Sequence, residues 1–257
     1  MFDLSDRLVV VTGAARGIGT GIVEAILEAD GAVALIDLDL ANAEATANRL
    51  DPSGTRTVAV TADVTDPVSL EAAADKACQR LGPISGWVNN AGIVQMGPAE
   101  DITAKNWDQE IAVNVRGVLH GSQTAYRQFQ GRGGAIVNIA SNAGKVGFPG
   151  MAAYNASKAA VINLTRSLAA EWAEHSININ AVCPGSVATP MLREVADKLA
   201  SEGLGDAESI FAGMVPEQLK RHVEPLEVGR VVAFLLSDAA VIIRGQSINV
   251  DGGETPY

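Results

Sequence analysis

Tyr154 and Lys158 stand four residues apart in Tyr154-Asn155-Ala156-Ser157-Lys158, a spacing that puts both on one face of a helix. A phenol beside an ammonium is a candidate general base. Phenols titrate near about 10, so a tyrosinate at neutral pH needs a shift of roughly 3 units, or ~4 kcal/mol of differential stabilisation. A cation one helical turn away supplies part of it. An accidental surface pair would lack company. Here Ser141 lies thirteen residues before the tyrosine at the end of an apolar run, Asn114 falls within a helical pattern, and Asn89-Asn90-Ala91-Gly92 follows another apolar run.

A second constellation suits a phosphate ligand. The first apolar run leads into Thr12-Gly13-Ala14-Ala15-Arg16-Gly17-Ile18-Gly19 and then a helical pattern. Glycines there let backbone N–H groups and the positive end of a helix approach a pyrophosphate. The spacing G-x-x-x-G-x-G departs from the common G-x-G-x-x-G and is a weak signal alone; its place after the first strand is the stronger one. Asp37 ends the second apolar run, 18 residues beyond Gly19, where a carboxylate accepts hydrogen bonds from an adenosine ribose and repels a 2′-phosphate. This favours NAD over NADP. Arg16 argues the other way, because a guanidinium beside the turn can pair with that phosphate.

These groups need rigid elements to hold them. Apolar runs at 8–11, 32–36, 57–60, 86–88, 135–139, 177–182 and 247–250 read as strands, and helical patterns at 17–29, 41–50, 67–81, 104–129, 152–174 and 225–236 separate them. Strands so separated imply β-α-β crossovers and a doubly wound α/β fold with helices on both faces of a parallel sheet. Thr65-Asp66-Pro67 opens one helix with a cap and a first-turn proline, and Leu81-Gly82-Pro83 closes it. With no linker or repeat, residues 1–257 are expected to form a single domain. The irregular stretch about 190–224 is a candidate substrate loop or lid beyond the strand ends.

Composition narrows the partners. The chain is 47% hydrophobic with mean hydropathy +0.16, enough for a core. Thirty acids against 19 bases give a net charge of −11, which disfavours nucleic acid or an anionic membrane as partner. Cys78 and Cys183 lie far apart without a C-x-x-C and read as reduced core thiols. His120, His175 and His222 lack metal-ligand spacing, so no metal is expected. Met1 to Arg7 carries no signal-peptide pattern and no run is long enough to span a bilayer, which makes cytoplasmic residence the expectation.

Taken in chain order, Thr12-Gly13-x-x-x-Gly17-Ile18-Gly19, Asp63-Val64, Asn89-Asn90-Ala91-Gly92, Asn114, Ser141, Tyr154 with Lys158, Pro184-Gly185 with Thr189, and Asp251-Gly252-Gly253 make the sequence resemble the short-chain dehydrogenase/reductase family over essentially its whole length. The resemblance implies a single-domain Rossmann fold with seven parallel strands and a catalytic set of Ser141, Tyr154 and Lys158 extended by Asn114. The turn residues Gly13, Arg16, Gly17, Ile18 and Gly19 are the expected cofactor-binding positions at the start of the first helix. By the same resemblance Asp63 and Val64 hold the adenine, Asn90, beside Ala91 and Gly92, the ribose region, and Val187 and Thr189, after Pro184-Gly185, the nicotinamide carboxamide. Asn114 would carry a water that connects Lys158 to solvent. A homo-oligomer, dimer or tetramer, is implied too, with Trp172, Ala159, Ala160, Ala169 and Ala170 packed within the chain or against a second subunit.

The expected reaction is NAD-dependent interconversion of a secondary alcohol and its ketone. Tyr154 takes the alcohol proton, Ser141 holds the substrate oxygen, and Lys158 also grips the nicotinamide ribose. Gln95, Asn142, Lys145, Phe148, Met151, Ser186 and Met191 flank the motifs as candidate substrate contacts. The polar ones among them favour a sugar alcohol or small diol. The alternatives are a reductase of 3-oxoacyl thioesters, and a catalytically silent NAD-sensing module, which would not need all four catalytic residues. Two positions depart from the family pattern: Arg244 stands where a small hydroxyl residue is usual, and Val223 replaces a glycine before Glu224-Pro225.

Overall fold

The computed structural model describes residues 2–129 and 131–256; Met1, Gln130 and Tyr257 lie outside them. Seven parallel strands form one sheet: β1 (Leu8–Thr12), β2 (Ala32–Asp37), β3 (Thr57–Thr61), β4 (Ile84–Asn89), β5 (Gly134–Ile139), β6 (Ile177–Pro184) and β7 (Ser247–Val250), in the order β3-β2-β1-β4-β5-β6-β7. The chain starts in the middle and winds outward in both directions, so the carboxyl ends of β1 and β4 diverge into a crevice.

Continuous apolar strands belong to a sheet covered on both faces, and successive side chains separate accordingly. Val9, Val11, Val33 and Leu35 enter one core cluster with Ile22 and Ile26 of α1 (Ile18–Glu28) and Val228 and Val232 of α9 (Pro225–Leu236). Leu8, Val10, Ala34 and Ile36 enter the other, with Leu70 and Ala74 of α3 (Pro67–Leu81) and Phe129 of α5 (Gly117–Phe129). The expected cap is present: Asp66 accepts from the Val68 N–H and Pro67 opens α3. A buried polar network joins the site-bearing elements. Asn89 donates to Ser122 and to Asn138, and Asn138 donates to Thr165 of α6 (Ala152–Glu171), so these buried side chains satisfy one another.

The helical pattern at 104–129 is not one regular helix. It divides into α4 (Ala104–Ile111), a π-helical turn (Ala112–Arg116) and α5. Such turns insert an extra residue into a helix and commonly sit at functional sites; this one carries Asn114. The irregular stretch at 190–224 contains α7 (Pro190–Ser201) and α8 (Ala207–Gly213). Val223 is buried and forms a parallel bridge with Val187, which fastens the return of this excursion beside the exit of β6. Arg244 donates to the carbonyls of Val241 and Ile177. Among the described residues no helix is long and apolar enough to cross a membrane.

Candidate active site

A cleft of about 700 Å³ opens at the carboxyl ends of the strands. Its first wall is the glycine turn. Gly13, Arg16, Gly17 and Ile18 line the cleft, and α1 begins there with no side-chain cap at Gly17, leaving its first N–H groups available to an anion. Gly19 does not line the cleft; it lets the turn close, because a Cβ there would lie 2.2 Å from the Gly13 carbonyl oxygen. Backbone N–H groups, a helix terminus and an absent side chain together fit a dinucleotide pyrophosphate without demanding positive charge.

Asp37 lines the next part of the wall, where its carboxylate accepts from the backbone N–H of Ala15 (2.9 Å) and of Asp39 (3.1 Å). Those bonds hold the acid against the glycine turn. Arg16 pairs with Glu194 of α7 at 3.0 Å, so its guanidinium already has an acidic neighbour. Asp63 and Val64 line the cleft too, with Asp63 accepting from the Thr65 N–H and hydroxyl. Asn90, Ala91 and Gly92 follow β4 into the same wall. The Asn90 amide is turned inward: it donates to the carbonyls of Thr12 and Gly13, and so it braces the turn. Pro184, Gly185, Val187 and Thr189 complete this side.

Ser141, Tyr154 and Lys158 meet in the middle of the cleft. The Lys158 ammonium donates to the Ile139 carbonyl at 2.9 Å and lies 5.6 Å from the centre of the Tyr154 ring. Burial pushes the Tyr154 phenol up to about 12, a hydrogen bond with Ser141 opposing it and the charge of Glu110 adding to it. Burial draws Lys158 down to about 8, against the charges of Cys183 and Glu110. With the chain's own groups alone, therefore, Lys158 does not deliver the depressed phenol that the four-residue spacing suggested, because desolvation dominates.

Asn114 is fully buried and does not reach the cleft. Its amide accepts from the Ile93 N–H and donates to the Ile93 carbonyl and the Ser157 hydroxyl. It therefore clamps the segment after β4 to α6 next to Lys158. Gly92 separates the two groups: a Cβ there would sit 3.3 Å from the Asn114 amide oxygen and 3.4 Å from the Lys158 nitrogen.

Of the nominated substrate contacts, Asn142, Phe148, Met151, Ser186 and Met191 line the cleft. Gln95 and Lys145 do not. Gln95 uses its backbone N–H on Glu110 and its side chain on Gln109, while Lys145 reaches the Ser247 carbonyl and the Asn249 side chain and so anchors β7. Both side chains are engaged by acceptors outside the cleft. The rest of the substrate end is largely apolar, including Val94, Met96, Leu192 and Met214, none of which the sequence reading singled out. Glu254 was missed as well. It lines the cleft and accepts from the N–H of Ser186; its place three residues after Asp251 was the only signal.

A family model described as short chain dehydrogenase matches residues 7–200. The chain is 38% identical over 253 residues to 2-(S)-hydroxypropyl-CoM dehydrogenase 3 of Xanthobacter autotrophicus, covering 98% of each protein. To D-threitol dehydrogenase of Mycolicibacterium smegmatis it is 35% identical over 255 residues, covering 99% of this chain and 95% of that one. Among solved structures, actinorhodin polyketide ketoreductase with NADPH superposes with a TM-score of 0.93 at 32% identity, covering 99% of this chain and all of the other.

Proposed function

This chain belongs to the short-chain dehydrogenase family, and from that premise we infer that it interconverts a neutral secondary alcohol and its ketone with NAD as partner. The observation that carries the reading is the convergence of Ser141, Tyr154 and Lys158 in the cleft that the glycine turn and Asp37 also line. Ser141 holds the substrate oxygen, Tyr154 removes or returns its proton, and Lys158 keeps a cation beside the phenol and binds the ribose. Gly13, Gly17, Ile18, Asp63, Val64, Asn90, Val187 and Thr189 hold the dinucleotide. The oxidised nicotinamide, when bound, supplies the hydride acceptor and a positive charge near the phenol. The chain works as one unit in which α7 and α8 form the substrate lid. The small outward residues of α6, Ala156, Ala159 and Ala170, support a homo-oligomer. The test is a panel of diols, polyols, hydroxy acids and hydroxysteroids followed by NADH formation; no turnover with any would overturn the reading.

Asp37 supports NAD over NADP, since a 2′-phosphate would meet a carboxylate already fixed on the turn and the Arg16 charge is shared with Glu194. Asp37→Ala is expected to shift the NAD/NADP ratio of kcat/KM by roughly 10–100-fold toward NADP. An unchanged ratio would contradict the assignment.

For the substrate, the loss of Gln95 and Lys145 from the wall removes much of the case for a sugar alcohol, and a small diol suits the cleft better. Asn142 is 4% exposed and lines the cleft, and its amide nitrogen is buried without a hydrogen-bond partner. It is a ready donor to a second substrate oxygen. Asn142→Ala is expected to cut kcat/KM for a vicinal diol by about 10-fold while leaving the matching mono-alcohol within about 2-fold. Equal losses would assign Asn142 to support of the neighbouring Ser141. A second reading, reduction of a 3-oxoacyl thioester, draws support from the likeness to a ketoreductase with NADPH; Asp37 and the net charge of −11 weigh against it.

A further inference from the structure

Glu110 is the one fully buried carboxylate on α4, and the functions assigned above leave it unused. It is 0% exposed. One oxygen accepts from the Gln95 N–H at 2.7 Å; the other has no hydrogen-bond partner. A buried, half-satisfied carboxylate is costly, and an apolar side chain would fill this helix position more cheaply. Its surroundings give the cost a purpose. Glu110 lies one helical turn before Asn114, and the two side chains grip successive parts of one segment, Asn114 at Ile93 and Glu110 at Gln95. That segment begins at Gly92, which is packed against the Lys158 ammonium. The titratable groups that feel Glu110 are Lys158 and Tyr154, both on α6. Cys183 of β6 is a further neighbour of Lys158.

We propose that Glu110 is a positioning residue of the catalytic pair: one oxygen fixes the segment after β4, and the carboxylate charge holds the proton inventory of Tyr154 and Lys158. A negative charge raises the proton affinity of every group coupled to it, so Glu110 keeps Lys158 protonated and delays ionisation of Tyr154. Whichever of the two loses the shared proton first, removing the charge lowers the macroscopic ionisation of the pair. This inference rests on the assignment of Tyr154 as the base, but its physical core does not need turnover.

The test is Glu110→Gln, which retains an acceptor for Gln95 and removes the charge, with Glu110→Met as a second variant in case the amide disturbs folding; thermal melts report integrity. In 13Cε-lysine-labelled protein without cofactor, the Lys158 resonance, identified by its loss in Lys158→Met, should titrate near about 8 in the parent. In both variants the midpoint should fall by about 0.5–1 pH unit. In parallel, the acid limb of the pH profile for alcohol oxidation should move to lower pH by a similar amount, while Glu110→Met alone also raises KM. A midpoint that is unchanged or raised overturns the proposal and leaves Glu110 as a backbone clamp. Absence of oxidation with every alcohol would instead count against the proposed function, and the lysine titration would still decide the role of Glu110.

Discussion

Tyr154→Phe is expected to lower kcat by about 10³–10⁵-fold, or ~4–7 kcal/mol of transition-state stabilisation, with NADH affinity changed less than about 3-fold. The reason is local. The substitution deletes one oxygen whose hydrogen bond runs to Ser141, and leaves the ring, the Lys158 contact with the Ile139 carbonyl and the glycine turn in place. Steady-state kinetics with a fluorescence titration of NADH would check both halves. Retained turnover would remove Tyr154 as base. The phenol makes a further demand on the parent enzyme. Because burial holds it near about 12 with the chain's own groups alone, its ionisation at working pH must come from added positive charge, so the phenol should ionise well below 10 in the NAD complex but not in the free protein.

Gly19→Ala is expected to weaken dinucleotide binding by at least about 100-fold and to cost roughly 1–3 kcal/mol of stability. The added Cβ would fall 2.2 Å from the Gly13 carbonyl oxygen and 2.9 Å from both the Ala14 Cα and the Asn90 amide nitrogen. Two of those are backbone atoms and cannot swing aside. The Gly13 carbonyl also accepts from Asn90 at 2.8 Å, so moving it disturbs the link between the turn and β4. Gly17→Ala provides the comparison. Its Cβ would meet nothing closer than 3.5 Å, and its penalty is the positive φ of 58°, worth about 1 kcal/mol. Calorimetric titration with NADH and thermal melts of both variants should rank Gly19→Ala far below Gly17→Ala in affinity. Equal affinities would mean that the close approach is not what shapes the phosphate site.

Much of the architecture was legible because its signals are local. Val9-Val10-Val11 could only be a strand buried on both faces, Asp66-Pro67 could only begin a helix well, and the seven strands appear within two residues of their expected limits at either end. The meeting of Tyr154, Lys158 and Ser141 followed from motif order, since each sits at a strand end or on a helix that a parallel α/β sheet must bring to one edge. The π turn at Ala112–Arg116 was not legible, because it depends on Asn114 finding Ile93 and Ser157, partners 21 and 43 residues away.

What the sequence determined by itself was therefore the set of elements, their parallel order and the identity of the reacting groups, all of which depend on periodicity and short-range spacing. Only the tertiary structure decided where polar side chains face and how they titrate. Gln95 and Lys145 are near the motifs in sequence yet bond outside the cleft, while Glu254, directly after Asp251-Gly252-Gly253, joins it. The ionisation of Tyr154 and Lys158 reverses the expectation drawn from their spacing, because it is set by burial and by Glu110, a charge that comes near only when α4 packs on α6. Hydrogen-bond competition and local dielectric are properties of three-dimensional proximity, and no one-dimensional spacing specifies them.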